Sequence, residues 1–486
     1  MSTQHPFYEK FIQKPHTPPA HDAHNRSQPK KNPLQKKQAG TQNKKKEHLD
    51  GTHEKDIKTT PLVRASDRHI VQKQSYPAVP HRTGTPVFSE LTPDAKKILE
   101  RFPDLLEQIV PLEAKQKQRL PQHIHTLFHE LTDERGRRKV QYLNNPVTLS
   151  AYMYYYVWWN LVRLTKLLQN IDISLENGDY AADFGSGPLT FICALWIAKP
   201  ELRKKQLTWY CVDISNRALN FGEELFLALC ASTGRSDSEE IAPWRIKKIC
   251  GAFGTPLTEK VAFAAEANMF NEMFWNSQLP LNEQAEKVRD TVMRYLKPNG
   301  AFLFIEPGIP LAGEFLSLIR ARFLQDGFFV HTPCPHHGAC CLPHGKQDGV
   351  PVKIPIAVHK WCHFTFGTDD SPQNLLKLSE ASNLGKERAS LSFLYCSAPS
   401  ASRPHTGKKL SHHEIPVRIC SDIIMLDPHV IGRYACSEKG FMLLTNRAYK
   451  NSIVNTAVSG TLLLLPIDCI QPRQRDKKTG ALLVRL

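Results

Sequence analysis

Cysteine is the residue type whose spacing in this chain points most directly to chemistry. The sequence holds 12 Cys among 486 residues, and eight of them lie in its last third. These eight are Cys334, Cys340, Cys341, Cys362, Cys396, Cys420, Cys436 and Cys469. The first of them stand in a loop rich in Pro, Gly and His, TPCPHHGACCLPHG, and HKWCHF follows it. Thiolates separated by tight turns are what a tetrahedral Zn²⁺ or an iron–sulfur cluster requires, so we predict a metal centre here.

Three cysteines are the first candidates for its ligands. Cys334 and Cys340 belong to the loop, and Cys362 follows at what looks like the next strand. The spacing is not C-x-x-C, so a zinc ribbon is not the favoured interpretation. A set of four thiolates needs one more ligand, which the spacing leaves open. The candidates are Cys396, Cys420 and Cys436.

The remaining cysteines and the histidines have simpler interpretations. Cys341 directly follows Cys340 and is not expected to face the same metal. Nearby histidines could be ligands or merely exposed, namely His336, His337, His344, His359 and His363. Four earlier cysteines stand in apolar sequence and are predicted to be small buried hydrophobes, namely Cys193, Cys211, Cys230 and Cys250. The cysteines of the last third could also be unliganded in a loop-rich region.

A second candidate site is a glycine-rich turn at the end of an apolar strand. Asp183-Phe-Gly185-Ser-Gly187-Pro188 closes that strand and opens a helix, and Asp213 ends the next strand. Glycines let a ligand approach the backbone, and the helix N-terminus offers free N–H groups. An acid at the second strand end is placed to accept ribose hydroxyls. We predict an S-adenosylmethionine site; the alternative is a tight turn without ligand.

The sequence does not identify residues for methyl transfer. No Asn/Asp-Pro-Pro-aromatic motif, which would orient an amino group, is present, and the fourth strand ends EANMFNEM instead. Its polar residues are Asn268, Asn271 and Glu272, which are not diagnostic. No two cysteines stand where a cytosine-C5 enzyme needs a nucleophile and a base. We therefore assign no catalytic residue.

The elements that must position these residues follow from hydrophobic periodicity. Strand-length apolar segments alternate with helical ones, which predicts a parallel sheet covered by helices on both faces. The predicted strands are YAADF (180–184), LTWYCVD (207–213), VAFAAEA (261–267) and AFLFIEP (301–307), with helices from about 188 and 215 and near 281–296 and 311–326. The predicted fold class is α/β, a Rossmann-like methyltransferase domain with a helical N-terminal lead-in and a Cys-rich, β-rich C-terminal region.

The same pattern divides the chain into five regions. The lead-in begins with a Thr92 cap followed by Pro93 at the first helical position. The predicted regions are a disordered basic tail (1–90), the helical lead-in (91–170), the Rossmann-like domain (171–330), a Cys/His-rich segment continuing the sheet (331–375) and a β-rich region (376–486).

Net charge and hydrophobicity limit the kinds of partner that the chain is expected to bind. The formal net charge is +16, of which residues 1–60 carry twelve Lys/Arg and six Asp/Glu, and such a balance points to nucleic acid. No apolar run approaches the ~20 residues that a bilayer span needs, so no membrane partner is expected. The N-terminal residues lack a secretory core, so we expect reduced thiols in a bacterial cytoplasm or, alternatively, a mitochondrial matrix.

Several of these motifs together resemble one family. In chain order they are Asp183-Phe-Gly-Ser-Gly-Pro, Asn271-Glu272, Glu306-Pro-Gly308, the PCPHxxxxC run from Pro333 to Cys340, and Trp361-Cys362-His363-Phe364. They resemble the methyltransferase-like assembly factors of the small ribosomal subunit, named methyltransferase-like protein 17 in animals, with bacterial and yeast relatives. The resemblance spans roughly residues 91–450.

The resemblance implies a factor that binds the immature small subunit near its rRNA and carries a [4Fe–4S] cluster. Three ligands carry over to Cys334, Cys340 and Cys362, and the fourth, before a Gly-containing turn, to Cys436. The sequence departs from the family at Leu189, where a further glycine is usual; a leucine there could narrow the space for the methionine end of the cofactor.

The function that we predict is therefore small-subunit assembly by a chain that is a monomer when free. The first alternative is an active rRNA methyltransferase that uses Asp183, Gly185, Gly187 and Asp213 for its cofactor. The second is an iron–sulfur redox sensor acting on translation.

Overall fold

The computed structural model describes residues 82–132, 143, 145–233, 235–236, 239–273, 278–342, 360–399, 413–447, 452–470 and 474–486. All of them belong to one compact unit, residues 75–486. Most of the predicted basic tail, residues 1–81, lies outside the described residues, as do His344 and His359.

Helices and strands alternate along most of the unit. The helices are α1 (Pro93–Glu100), α2 (Phe102–Ile109), α3 (Ala114–Thr132), α4 (Pro146–Ala151), α5 (Trp158–Leu168), α6 (Thr190–Ala198), α7 (Asn216–Thr233), α8 (Met269–Met273), α9 (Leu281–Tyr295), α10 (Pro310–Gln325), α11 (Gln373–Ala381) and α12 (Ile453–Thr456). The strands are β1 (Arg82–Thr83), β2 (Tyr180–Phe184), β3 (Thr208–Asp213), β4 (Arg235–Ser236), β5 (Glu239–Glu240), β6 (Arg245–Cys250), β7 (Val261–Ala267), β8 (Leu296–Pro307), β9 (Phe329–Thr332), β10 (Phe364–Gly367), β11 (Arg388–Ser397), β12 (Glu414–Ile419), β13 (Ile424–Asp427), β14 (Val430–Ser437), β15 (Gly440–Arg447), β16 (Leu462–Pro466) and β17 (Leu482–Arg485).

The helical lead-in starts where its capping residues predict. The Thr92 side chain accepts a hydrogen bond from the Ala95 N–H, and Pro93 occupies the first helical position. A π-helical segment, Tyr152–Val157, joins α4 to α5. Tyr154 and Tyr155 of this segment are buried, and Tyr152 and Tyr156 are partly buried against the same core, so the aromatic run is part of the core.

The main sheet has the strand order β10-β11-β8-β7-β2-β3-β6. Its first strand, β2, is central; β3 and β6 follow on one side, and the chain then crosses to β7 and β8 on the other. These five strands are parallel, whereas β11 runs antiparallel to β8. That order with an antiparallel strand beside the fifth is the Rossmann-like arrangement of class I methyltransferases, so the predicted fold class is confirmed.

Helices cover both faces of this sheet. One face packs against α5, α6 and α7, and the other against α9 and α10. Cys193, Cys211 and Cys230 are buried in the first of these cores, as predicted. The prediction for Cys250 was wrong: it ends the edge strand β6, has no strand beyond it to cover it, and is exposed.

The last position of the main sheet is shared by two short strands. Strand β9 pairs with β11 at Tyr395–Ser397, and β10 pairs with the same strand at Arg388–Leu391. Residues 333–342 and 360–363, the described part of the chain between β9 and β10, belong to no strand and interrupt this position of the sheet. This interruption contains Cys334, Cys340 and Cys362.

The C-terminal region forms a second sheet of order β1-β16-β12-β14-β15-β17, with β13 also paired to β14. All of its pairs are antiparallel except β15 with β17. Strand β1 pairs with β16, and Phe88 packs on Phe366 with ring centroids 4.5 Å apart. The predicted tail boundary at residue 90 was thus too late, because residues from Arg82 onward already join the folded unit. Of the helices described, none combines the length and apolar character needed to cross a bilayer.

Candidate functional site

The glycine-rich turn lies at the carboxyl end of β2, in the centre of the main sheet. Gly185 and Gly187 have φ values of 66° and 49°, which glycine adopts at little cost. The Gly185 N–H donates to the Val212 carbonyl over 2.8 Å, tying the turn to β3. A Cβ on Gly185 would come within 2.8 Å of the Met269 side chain, so α8 closes over this turn.

Asp213 holds the turns after β2 and β3 together. One carboxylate oxygen accepts from the Gly187 N–H at 2.9 Å, and the other accepts from the Ser215 N–H at 2.8 Å. Burial nevertheless raises the pKa of Asp213, and these two backbone bonds oppose that rise. Each oxygen keeps a second lone pair, so the carboxylate can still accept a ligand hydroxyl.

Asp183 is the most deeply buried acid of this turn. Its exposed fraction is 1%, and its Oδ2 atom has no hydrogen-bond partner among the described residues. Burial raises the pKa of Asp183 well above its usual range; a hydrogen bond with Ser186 lowers it, and the charge of Asp213 raises it again. An orphaned carboxylate oxygen beside glycines at positive φ suits a ligand that brings its own donor.

Leu189, the departure from the family pattern, has a packing role. It is completely buried and adopts φ 53°, an unusual conformation for a branched side chain. A Cβ on Gly222 of α7 would lie 2.7 Å from Leu189 Cδ1 and 2.4 Å from the Pro188 carbonyl carbon. Leu189 and Gly222 therefore set the close approach of α7 to the turn. Whether Leu189 also narrows the cofactor space stays a prediction.

Two carboxyl groups lie beside the turn, and sequence reasoning did not identify them as a pair. Glu266 of β7 and Glu306 of β8 are completely buried. They accept hydrogen bonds from four backbone N–H groups, those of Met269 and Ile305 to Glu266 and those of Phe270 and Asn271 to Glu306. Three of these donors belong to the first turn of α8, so the acids hold that helix over Gly185.

Burial raises the pKa of both carboxyl groups. The pKa of Glu306 rises to about 8. The charge of Glu306 raises the pKa of Glu266 further above its ordinary value. Glu266 therefore carries a proton at neutral pH. The nearby Asn268, with φ 65°, accepts from Arg163 Nη2 over 2.9 Å. These contacts give polar residues of the strand ends structural roles, and they identify no catalyst.

The four predicted metal ligands come from different elements and lie in one region. Cys334 and Cys340 belong to the interruption of the main sheet, Cys362 stands two residues before β10, and Cys436 lies in β14 of the second sheet. Burial is the largest cause raising the pKa of Cys362, and the charges of Cys334, Cys340 and Cys436 raise it further. The thiols are thus close enough to repel one another once ionised.

Two further cysteines join this group and one candidate does not. A hydrogen bond with Cys341 is the largest cause raising the pKa of Cys436, so Cys341 contacts a predicted ligand; that it does not face the same metal stays a prediction. The charges of Cys436 and Cys340 also raise the pKa of Cys420, after burial. Cys396 instead donates to the Phe302 carbonyl, 3.7 Å away, inside the core of the main sheet.

Two buried arginines flank the thiols. Arg418 of β12 donates from Nε to the Pro333 carbonyl at 2.9 Å and from Nη1 to the Gly460 carbonyl at 2.8 Å. Arg320 of α10 donates to the His336 carbonyl at 2.7 Å. Burial raises the pKa of Cys334, and the positive charges of both arginines oppose that rise. The two cations therefore offset part of the cost that burial places on a negative charge at Cys334.

Histidine contributes less to this region than its frequency suggested. The pKa of His336 falls to about 4 because the ring is buried and Arg320 is close. His337 contacts the Val330 carbonyl at 3.0 Å, and His363 contacts the Trp361 carbonyl at 3.1 Å. Across the described ranges, no group of three or more His, Cys, Asp or Glu residues has the arrangement that holds a single metal ion.

Sequence reasoning missed the two arginines. Arg320 lies in α10, which also contains Glu314 and Arg322, and Arg418 lies in β12, which also contains Glu414; exposure is the usual expectation for such an arginine. Glu266 was overlooked for a similar reason, since it stands inside the apolar run of β7. A charged residue inside an apolar run is the only sequence signal that could have identified these buried side chains.

Comparison with known proteins identifies the family. The model of the Rsm22 family, described as mitochondrial small ribosomal subunit Rsm22, matches residues 151–420, more than half of the chain. The chain belongs to the Rsm22 family. The match extends from the π-helical segment of the lead-in to Cys420 at the end of β12. The Rsm22 segment thus includes the glycine-rich turn and three of the four predicted metal ligands, while Cys436 lies beyond it. A search of curated proteins finds no match.

Solved structures similar to this Rsm22 chain include methyltransferases. One is an S-adenosylmethionine-dependent methyltransferase from Aquifex aeolicus, 17% identical, covering 33% of this chain and 77% of that chain with a TM-score of 0.23. Another is a methyltransferase from Pyrococcus furiosus, 16% identical, covering 32% of this chain and 68% of that chain with a TM-score of 0.22.

Proposed function

We propose that the chain is an assembly factor of the small ribosomal subunit that binds rRNA and is a monomer when free. Membership of the Rsm22 family is the observation that carries this proposal, because the family is described by the mitochondrial small ribosomal subunit. The same description favours the mitochondrial matrix over the bacterial cytoplasm. The net charge of +16 supports RNA as the partner, since Lys and Arg neutralise phosphates.

We further propose that Cys334, Cys340, Cys362 and Cys436 hold a [4Fe–4S] cluster. Four thiolates are the ligand set of such a cluster, in which each thiolate binds its own iron. The charges of Cys334, Cys340 and Cys436 raise the pKa of Cys362, which supports the assignment of all four thiols to one group. The charges of Arg320 and Arg418 favour ionised sulfur at Cys334. The residues present fit the group.

A cluster on these ligands would tie the two sheets together. Three ligands come from the interruption of the main sheet and the fourth from β14 of the second sheet. The hydrogen bond from Arg418 to the Pro333 carbonyl already crosses between the same two sheets. Since the unfolded chain has no preformed site, cluster binding contributes folding free energy. The cluster would then shape one continuous surface for rRNA.

Anaerobic purification followed by iron and sulfide analysis tests the cluster. We expect roughly four irons per chain and the absorption of an iron–sulfur centre. The Cys436→Ser variant should lose most of the iron. Cys250→Ser is the matched control, because that thiol is exposed and outside the group. If Cys436→Ser retained iron and Cys420→Ser lost it, the fourth ligand would be Cys420 and not Cys436. Stoichiometric zinc in place of iron would contradict the iron–sulfur cluster.

The glycine-rich turn supports a second candidate function, an active rRNA methyltransferase. The orphaned Asp183 oxygen and the backbone of Gly185 and Gly187 suit S-adenosylmethionine, and Asp213 keeps lone pairs for ribose hydroxyls. Bound there, the cofactor would supply an electrophilic methyl group. Titration calorimetry with S-adenosylmethionine should show binding that Asp183→Asn weakens.

Transfer of labelled methyl groups to small-subunit rRNA separates the two functions. The assembly factor needs no transfer, so an Asp183→Asn chain that no longer binds the cofactor should still support assembly. Failure of assembly in that variant, together with methyl transfer by the unaltered chain, would favour the methyltransferase.

A further inference from the structure

A cavity of about 230 Å³ lies beside the thiols, at the junction of the two sheets. It is lined by residues of β10 and β13–β15, of the turn between β12 and β13 and of the chain before β10, among them Lys360, Trp361, His363, Asp422, Tyr434 and Phe441. Drug-sized pockets begin at roughly 300 Å³, so this one suits a smaller group, such as one aromatic heterocycle. None of the proposed cluster ligands lines it, although Cys420 does.

Two stacked ring pairs contribute to the wall. Trp361 and His363 have ring centroids 4.7 Å apart at an interplanar angle of 23°, and Tyr434 and Phe441 have centroids 5.0 Å apart at 12°. The indole N–H of Trp361 donates to the Gly308 carbonyl at 2.9 Å, which fixes that ring. Fixed aromatic rings are the stacking surfaces that proteins offer to unpaired bases.

Charge and polar groups accompany the rings. The Lys360 ammonium lies 5.0 Å from the centroid of the Tyr434 ring and places a positive charge at the cavity. The Asp422 carboxylate accepts from the Thr365 hydroxyl at 2.8 Å and also from Arg388. A cation suits a phosphate, and a carboxylate held in place suits the amino edge of a base.

We infer that this cavity takes a single unpaired nucleobase of an RNA strand, with its phosphate towards Lys360. The inference rests on the proposed rRNA binding and deepens it by naming where an unpaired nucleotide is held. Stacking of one base changes affinity by roughly 5- to 100-fold, which is the effect to expect when a wall is removed.

Photo-crosslinking of the full chain, purified anaerobically, tests the site. The probe is a single-stranded oligoribonucleotide of roughly ten nucleotides, within the usual footprint of such sites. After irradiation and digestion, mass spectrometry should find adducts on Trp361, His363 or Phe441. Adducts confined to other residues would overturn the inference. If free adenosine monophosphate at the same concentration as the oligonucleotide abolished the adduct, the ligand would be a free nucleotide and not an RNA strand.

Fluorescence anisotropy with the same oligonucleotide gives the energetic test. Phe441→Ala should weaken binding roughly 5- to 100-fold with unchanged iron content. Phe221→Ala, a half-buried aromatic of α7 outside the cavity, is the matched control and should change little. If Phe441→Ala does not fold, Lys360→Glu serves instead. Unchanged affinity in these variants would overturn the pocket but leave rRNA binding standing; no binding by the unaltered chain would overturn the proposed function itself.

Discussion

Glu266 and Glu306 show how a buried acid can be structural and still respond to pH. Three of their four backbone donors belong to α8 and fix its start above Gly185. Burial keeps both carboxyl groups protonated to a higher pH than in the unfolded chain. The turn that would hold the cofactor is therefore supported by two acids that stabilise the fold least when both are ionised.

This pair predicts a loss of stability as pH rises. The folded pKa of Glu306 is about 8, whereas the unfolded value is near 4.5, so between these values the unfolded chain releases a proton that the folded chain keeps. Stability should fall across that window. Glu266→Gln removes one of the two carboxyl groups that the folded chain keeps protonated, so its melting temperature should decline less between about pH 5.5 and 8.

Thermal melts across that range provide the measurement. Glu283→Gln is the matched control, because Glu283 lies in the first turn of α9 and is exposed. It should follow the unaltered chain. A decline in Glu266→Gln as steep as in the control would contradict the raised pKa of Glu266.

At the scale of elements, local pattern predicts the central strands but not their edges. Strands β2, β3, β7 and β8 are buried apolar runs, and the turn residues after β2 and β3 follow from their types. The placement of β9 and β10 depends on β11, which comes later in the chain, so pairing and not local propensity decides it. The same is true of the metal region, because Cys436 of the second sheet interacts with Cys362, which precedes β10 of the main sheet.

Helix α7 carries a testable packing constraint. Replacing a helical Gly by Ala normally stabilises by about 1 kcal/mol. At Gly222, however, the new Cβ would meet the Pro188 carbonyl carbon at 2.4 Å. We expect Gly222→Ala to lower the melting temperature and to weaken S-adenosylmethionine binding, because α7 must move away from the turn.

Calorimetric melting and cofactor titration of the same variant check this expectation. Gly385→Ala is the control, since a Cβ there meets nothing within 4 Å. If Gly222→Ala were as stable as the unaltered chain, the close approach of α7 to Leu189 would not constrain the turn.

At the scale of the whole molecule, the two sheets form one compact unit that the sequence divides into separate regions. Strand β1 illustrates why: its Arg82 and Thr83 are exposed and carry no apolar pattern, yet they pair with β16 near the other end of the chain. The family could be predicted from motif order, because its short motifs are specific. The joint between the sheets could not, since Arg320 and Arg418 reach it through contacts between residues far apart in sequence.

We propose that assembly, cluster binding and RNA binding all depend on this joint between the two sheets. If the cluster shapes the surface that the subunit recognises, loss of one ligand should remove both.

Co-sedimentation of the purified chain with immature small ribosomal subunits tests this most directly. The unaltered chain and Cys250→Ser should sediment with the subunit in stoichiometric amounts, whereas Cys436→Ser should remain at the top of the gradient. Equal sedimentation of Cys436→Ser with its iron lost would contradict the role of the cluster, and absence of the unaltered chain from the subunit fractions would contradict the assembly function.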